Sequence, residues 1–242
     1  MPNFPTSLDT LSNPTSTTLR NDPGFELDVV ISTLNDIAEA LEAKLGIGAS
    51  TPTTAGDVAY VTGSGASAWG PRAAVRIAET TLGAPAASVT LSSIPQMFRH
   101  LMLTASARND VAATGLTSLG LRFNGDTGAN YGYQLNVSTS STVSTFGSVS
   151  ATALDIGGTS QDSSTANNFC MNDLLILDYA DTTMFKQARG ISGGIEGANA
   201  NMKEFFGQGV WRSTAAITSV TLVPGAGNLI AGCRFTLYGL PT

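Results

Sequence analysis

A chain of 242 residues with 42% apolar content can build a sizeable core, while 12% charged residues is low for a soluble enzyme. A net charge of −6 and only three lysines (Lys44, Lys186, Lys203) leave no basic footprint for nucleic acid or an anionic membrane. Ser, Thr, Gly, Ala and Asn dominate instead, the usage of mainly β chains with short strands and many turns.

The negative charge is concentrated at the start, where residues 1–55 hold Asp9, Asp22, Glu26, Asp28, Asp36, Glu39 and Glu42 against Arg20 and Lys44. Residues 1–21 repeat Pro-Thr-Ser at Pro5 and Pro14 without an apolar period, which predicts an extended arm that orders only against something else. MPNFPTSLDT shows neither the basic nor the apolar region of a signal peptide. The longest strictly aliphatic run, Leu174–Leu177, is far too short to span a membrane, so a soluble protein made in a cytoplasm is expected.

Residues 22–46 read as a helix. Asp22 caps it, Pro23 occupies its first turn and Gly46 stands at its end. Leu27, Val30, Leu34, Ile37 and Leu41 step by three and four, with Leu at a and a β-branched residue at d. That seam disfavours parallel dimers and favours higher oligomers, so a homotrimer with these five residues facing the axis is expected. A single amphipathic helix packed on its own domain is the alternative. Residues 47–88 form a Gly/Ser/Thr-rich connector with short strands around Val58 and Tyr60 and around Val75 and Ile77, and with Trp69 as an anchor.

From residue 89 to 242 the pattern is strands: Val89–Ile94, Leu101–Ala107, Leu119–Phe123, Tyr131–Val137, Leu174–Tyr179, Met184–Ile191, Phe205–Trp211, Ile217–Val223 and Cys233–Leu240, with weaker pieces in the Ser/Thr tract 138–165. Strands do not alternate with helices, so the expected head is an antiparallel, jelly-roll-like β-sandwich.

LRFNGDTGANYGY, residues 121–133, invites a metal or phosphate reading. From Asn124 the EF-hand positions 5, 6 and 12 would be Gly128, Ala129 and Leu135, which supply no ligand set. The glycines match no phosphate-binding pattern either. Asn124-Gly125 and Gly128 between two alternating runs predict a hairpin tip without metal. On that reading Asp126→Asn leaves stability unchanged, with or without calcium.

Cys170 and Cys233 lie in separate apolar runs and read as buried free thiols. Gly190-Ile191-Ser192-Gly193-Gly194 matches G-x-S-x-G, but no helix pattern follows and the only histidine, His100, precedes it. His100 reads as a solvated or hydrogen-bonded strand residue. Asp155, Asp173, Asp178, Asp181 and Glu196 are the carboxyls that a glycosidase could pair. No catalytic residue, metal site or cofactor is expected. Asn130, Tyr131, Tyr133 and Trp211 are the candidate receptor contacts, because aromatic faces beside amides suit sugar rings.

The block "LRFNGDTGANYGYQL … LLILDYADTTMFKQARGISG … GVWRSTAAITSVTLVPGAGNLIAGCRFTLYGL" resembles virion proteins of tailed bacteriophages. "GDVAYVTGSGASAWG" resembles the repeat-to-head connectors of phage fibres. "FPTSLDTLSNPTST" followed by "LNDIAEALEAKLG" is similar to their particle-attachment ends. The resemblance implies a tail fibre, receptor-binding tip or head fibre, located in the virion and made in the bacterial cytoplasm. The arm would dock on other virion proteins of tail or capsid, and the head could engage host-surface polysaccharide. Nucleic acid and membrane insertion are not expected. The alternatives are a carbohydrate-binding module and, with less support, a capsule depolymerase.

Overall fold

The computed structural model describes Leu34 and residues 57–63, 66–71, 74–113, 115–139, 141–162, 166–196 and 201–240. The chain divides into two compact units, Met1–Ala73 and Ala74–Thr242. In the first, β1 (Asp57–Gly63) and β2 (Ala66–Pro71) pair antiparallel, with Trp69 opposite Ala59. Leu34 is helical and 59% exposed. The arm and the rest of the expected coil, including Leu27, Val30, Ile37 and Leu41, lie outside the described residues.

The second unit is all antiparallel sheet in its named strands. An eight-stranded sheet takes the order β3-β14-β5-β10-β11-β12-β7-β8. Its strands are β3 (Val75–Thr81), β14 (Arg234–Leu240), β5 (His100–Ala107), β10 (Cys170–Leu177), β11 (Lys186–Glu196), β12 (Asn201–Trp211), β7 (Tyr131–Ser138) and β8 (Val143–Ala151). A four-stranded sheet runs β4 (Val89–Leu91), β13 (Val220–Pro224), β6 (Leu116–Phe123) and β9 (Leu154–Ser160). The expectation of a mainly β, antiparallel chain therefore holds for this unit. Its start does not fall at residue 89, because β3, assigned to the connector, pairs with β14 as the edge of the large sheet.

Period-two patterning sets the core. β5 alternates half-buried and buried, with Leu101, Leu103, Ala105 and Ala107 turned inward. Leu119, Leu121 and Phe123 of β6 and Leu222 of β13 face them from the small sheet in one apolar cluster. Phe235 and Leu237 of β14 join the same cluster.

Strand β9 lies across β10, β11 and β12, and the large sheet is hollowed to receive it. The inward positions of β11 include Ala188, Gly190, Ser192 and Gly194, and those of β12 include Gly207 and Gly209. A Cβ on Gly207 would sit 2.9 Å from the Ile156 Cβ, and one on Gly190 would sit 2.6 Å from the Ile156 carbonyl oxygen. Glycine here permits the backbones of two layers to touch. The G-x-S-x-G match is thus the floor of a packing groove inside a strand. Ser192 is buried at 4% exposure in mid-strand, with no nucleophile elbow.

At Gly158 the free edge of β9 is satisfied by a side chain, and at Ser160 by the backbone N–H of Asn109. Asn172 of β10, 2% exposed, accepts from the Gly158 N–H at 2.7 Å and donates to the Gly158 carbonyl at 3.0 Å and the Cys170 carbonyl at 3.1 Å. One amide thereby replaces a strand neighbour and ties the two sheets together. Cys170 and Cys233 are buried free thiols, and burial pushes Cys170 up to about 12.

Candidate functional site

The 124–130 segment has the turn chemistry expected of it but is not a hairpin tip. Asn124 and Gly125 take φ of 52° and 70°, and the Asp126 N–H closes the turn onto the Phe123 carbonyl at 2.9 Å. Yet β6 pairs with β13 and β9, whereas β7 pairs with β12 and β8. The segment carries the chain from one sheet to the other. Alternation is the same on both sides of a hairpin and of a sheet crossing, so the pattern could not separate them.

Asn124 fastens this corner, since its Oδ1 accepts from the Thr218 N–H at 2.8 Å and its Nδ2 donates to the Ala216 carbonyl at 2.8 Å. Asp126 fastens it from the other side. Its Oδ2 accepts from Trp211 Nε1 at 2.7 Å and Asn130 Nδ2 at 2.9 Å, and its Oδ1 from the Gly128 N–H at 2.8 Å. The indole hydrogen bond, with those from Asn130 and Gly128, holds the carboxyl below its ordinary range against a smaller opposing effect of burial. Asp126 is a structural clamp.

Of the candidate receptor contacts, two are withdrawn by burial. Tyr131 is fully buried and Trp211 is 3% exposed. Their rings stack with centroids 6.3 Å apart, and Phe123 leans on the indole at 5.6 Å. The Tyr131 hydroxyl, pushed up to about 12 by burial, donates to the Asp126 carbonyl at 3.1 Å. Its ring serves the core and its hydroxyl the corner. Asn130 is exposed, with its amide committed to Asp126.

Tyr133 alone of the four faces a cavity. A cleft of about 450 Å³ opens where β7, β8 and β12 stand opposite β6 and β9. Leu116, Leu135, Val137 and Phe205 form its apolar walls, and Phe146, 55% exposed, stands on its rim. The polar groups are Asp155, the Tyr133 hydroxyl beside it, and Ser118, Thr139 and Ser144. Burial raises the Asp155 carboxyl, opposed by the Tyr133 hydrogen bond and by Arg122. Lys203 also lines the cleft and is neutralised by Glu196 at 2.5 Å. The arrangement offers apolar faces, hydroxyls and one carboxyl, with little net charge.

Sequence reasoning found Tyr133, but not Phe146 or Lys203 as its companions. The cleft joins five strands from two sheets, and no spacing along the chain reports that. The other carboxyls are dispersed. Asp178 pairs with Arg99 at 3.2 Å, and Asp181 caps its own turn by accepting from the Thr183 and Met184 N–H groups. Asp173 sits on the opposite face of the large sheet. His100 is a hydrogen-bonded strand residue, as expected, its Nδ1 accepting from the Asp178 N–H at 3.0 Å. The described residues contain no group of three or more metal-ligating side chains. No helix among them is long and apolar enough to cross a membrane. No protein family, curated protein or solved structure matches the chain.

Proposed function

We propose that the chain is a non-enzymatic, homotrimeric fibre or spike protein of a tailed-bacteriophage virion. Its N-terminal arm docks on the particle, the 22–46 helix forms the stalk, and a jelly-roll-like sandwich is displayed outward to bind host-surface glycan. The observation that carries the binding role is the cleft beside Tyr133. Its mixture of aromatic and aliphatic walls with hydroxyls and the Asp155 carboxyl suits the ring faces and hydroxyls of a sugar. The particle setting rests on the resemblance of the arm, connector and head segments.

Titration of the full chain with oligosaccharides released from the host envelope tests the binding role. Saturable binding, weakly dependent on salt and lost in Tyr133→Ala and Phe146→Ala, is the expected result. Binding unchanged in both variants would remove the cleft from the reading. Mass spectrometry of purified particles tests the setting, and particles lacking the chain would refute it.

A second reading draws on Asp155, whose carboxyl is raised by burial inside the cleft in the direction a general acid requires, with no second carboxyl among the residues lining it. Under it the head is a capsule depolymerase. Release of reducing ends from host polysaccharide, abolished by Asp155→Asn, would favour that reading over binding alone.

A further inference from the structure

Strands β11 and β12 invert the usual arrangement of a sandwich sheet. Where β9 crosses them their inward positions are small (Ala188, Gly190, Ser192, Gly207, Gly209), while their outward positions carry Ile191 (61% exposed), Met202 (59%) and Phe206 (51%). On β10 the outward Met171 is 67% exposed. Register makes three of these neighbours: Ile191 lies directly opposite Phe206, and Met171 opposite Gly193, one outward step along β11 from Ile191. Met202, opposite Ile195, lies two outward steps along β12 from Phe206 at the end of the same face. The half-buried Met102 and Leu175, themselves directly paired, extend the patch. Four large side chains at these exposures present on the order of 500 Å² of apolar surface, at the upper end of what a monomer leaves uncovered.

The charges in the patch are of both signs. Asp173 is opposite Ile191, Glu204 opposite Gly193, and Arg189 opposite Leu175. All three are exposed and none makes an ion pair among the described residues. Carried around the axis of a trimer, Arg189 of one copy can meet Asp173 or Glu204 of the next, so the face complements itself by rotation. With that rim added, the area approaches the roughly 800 Å² per partner of a standard stable interface.

We infer that the outward face of β10, β11 and β12 is the surface on which a second copy of this chain packs. The inference rests on the multi-copy reading above and is independent of the virion setting. It places part of the assembly contact in the head as well as in the stalk.

Methionine oxidation tests it with an internal control, because Met97 and Met184 are 52% and 49% exposed away from this face. The full chain at micromolar concentration is sized by light scattering, treated briefly with peroxide and digested for peptide mass spectrometry. The expected result is an oligomer in which Met171 and Met202 oxidise several-fold more slowly than Met97 and Met184. Phe206→Glu, a change at an exposed site, should bring Met171 and Met202 up to the control rate. An oligomer in which all four oxidise alike overturns this inference and leaves the multi-copy reading standing, with the face open to a different partner. Protection that persists in Phe206→Glu overturns it too. A monomeric chain overturns both.

Discussion

Asp126→Asn is the most direct test of whether the 124–130 corner is clamped. Three donors converge on the carboxylate: Trp211 Nε1 and Asn130 Nδ2 on one oxygen, and the Gly128 N–H on the other. An amide of the same shape has one acceptor and places an NH₂ against a donor in either orientation. Its better orientation keeps the oxygen on Trp211 and Asn130 and turns the NH₂ against the exposed Gly128 N–H, so one hydrogen bond is lost and two lose their charged acceptor. Exchanging a charged for a neutral acceptor costs about 1 kcal/mol. For a unit the size of Ala74–Thr242, 1 kcal/mol moves Tm by about 2–4 °C, so a loss of that size is expected.

Calorimetry at pH 7 measures this difference, and repeating it at lower pH checks its origin. The folded carboxyl titrates below its unfolded range, so its contribution is complete above about pH 5 and is lost as pH falls through the folded value. The gap between wild type and variant should therefore narrow in acid. Equal melting temperatures at pH 7 would refute the clamp and restore the sequence-based expectation that the change is neutral. A gap that stays constant down to pH 3 would show that charge is not its cause.

Asn172→Ala should destabilise the protein by about 3 kcal/mol, read by urea denaturation, because it strands the Gly158 N–H and two carbonyls in the core. Gly207→Val should be at least as damaging, since even its Cβ would lie 2.9 Å from that of Ile156. A melting temperature within 2 °C (about 1 kcal/mol) of wild type would contradict the close packing of β9. Cys170 and Cys233 should resist alkylation at pH 8 in native protein and react together on unfolding, because burial disfavours both thiolates. Rapid native labelling of either, seen as a mass shift, would contradict their burial.

Much of the second unit was legible along the chain. Alternation located the strands around Leu101–Ala107, Tyr131–Val137 and Phe205–Trp211 to within a few residues, because a half-buried strand repeats every two residues whatever it pairs with. Isolated cysteines within apolar runs were readable as buried thiols for the same local reason. Strands β8 and β9 were only faint. β8 is an edge strand exposed along most of its length, and β9 is buried on nearly every side, so neither has a wet face and a dry face to alternate.

Partnership was decided only in three dimensions. The runs flanking Asn124-Gly125 could equally have closed a hairpin. That they part into different sheets depends on Trp211 and Asn130 anchoring Asp126 and on Asn124 holding residues 216–219. Tyr131, Tyr133 and Trp211 are aromatic residues in similar strand contexts, yet two fill the core and one opens on a cleft. Likewise the sequence could reject the glycines of β11 as a catalytic loop, but only the strand β9 lying on them shows what they are for. Sequence period encodes which residues share a face. Which layer that face meets is set by contacts between strands far apart in the chain, and no local spacing carries that information.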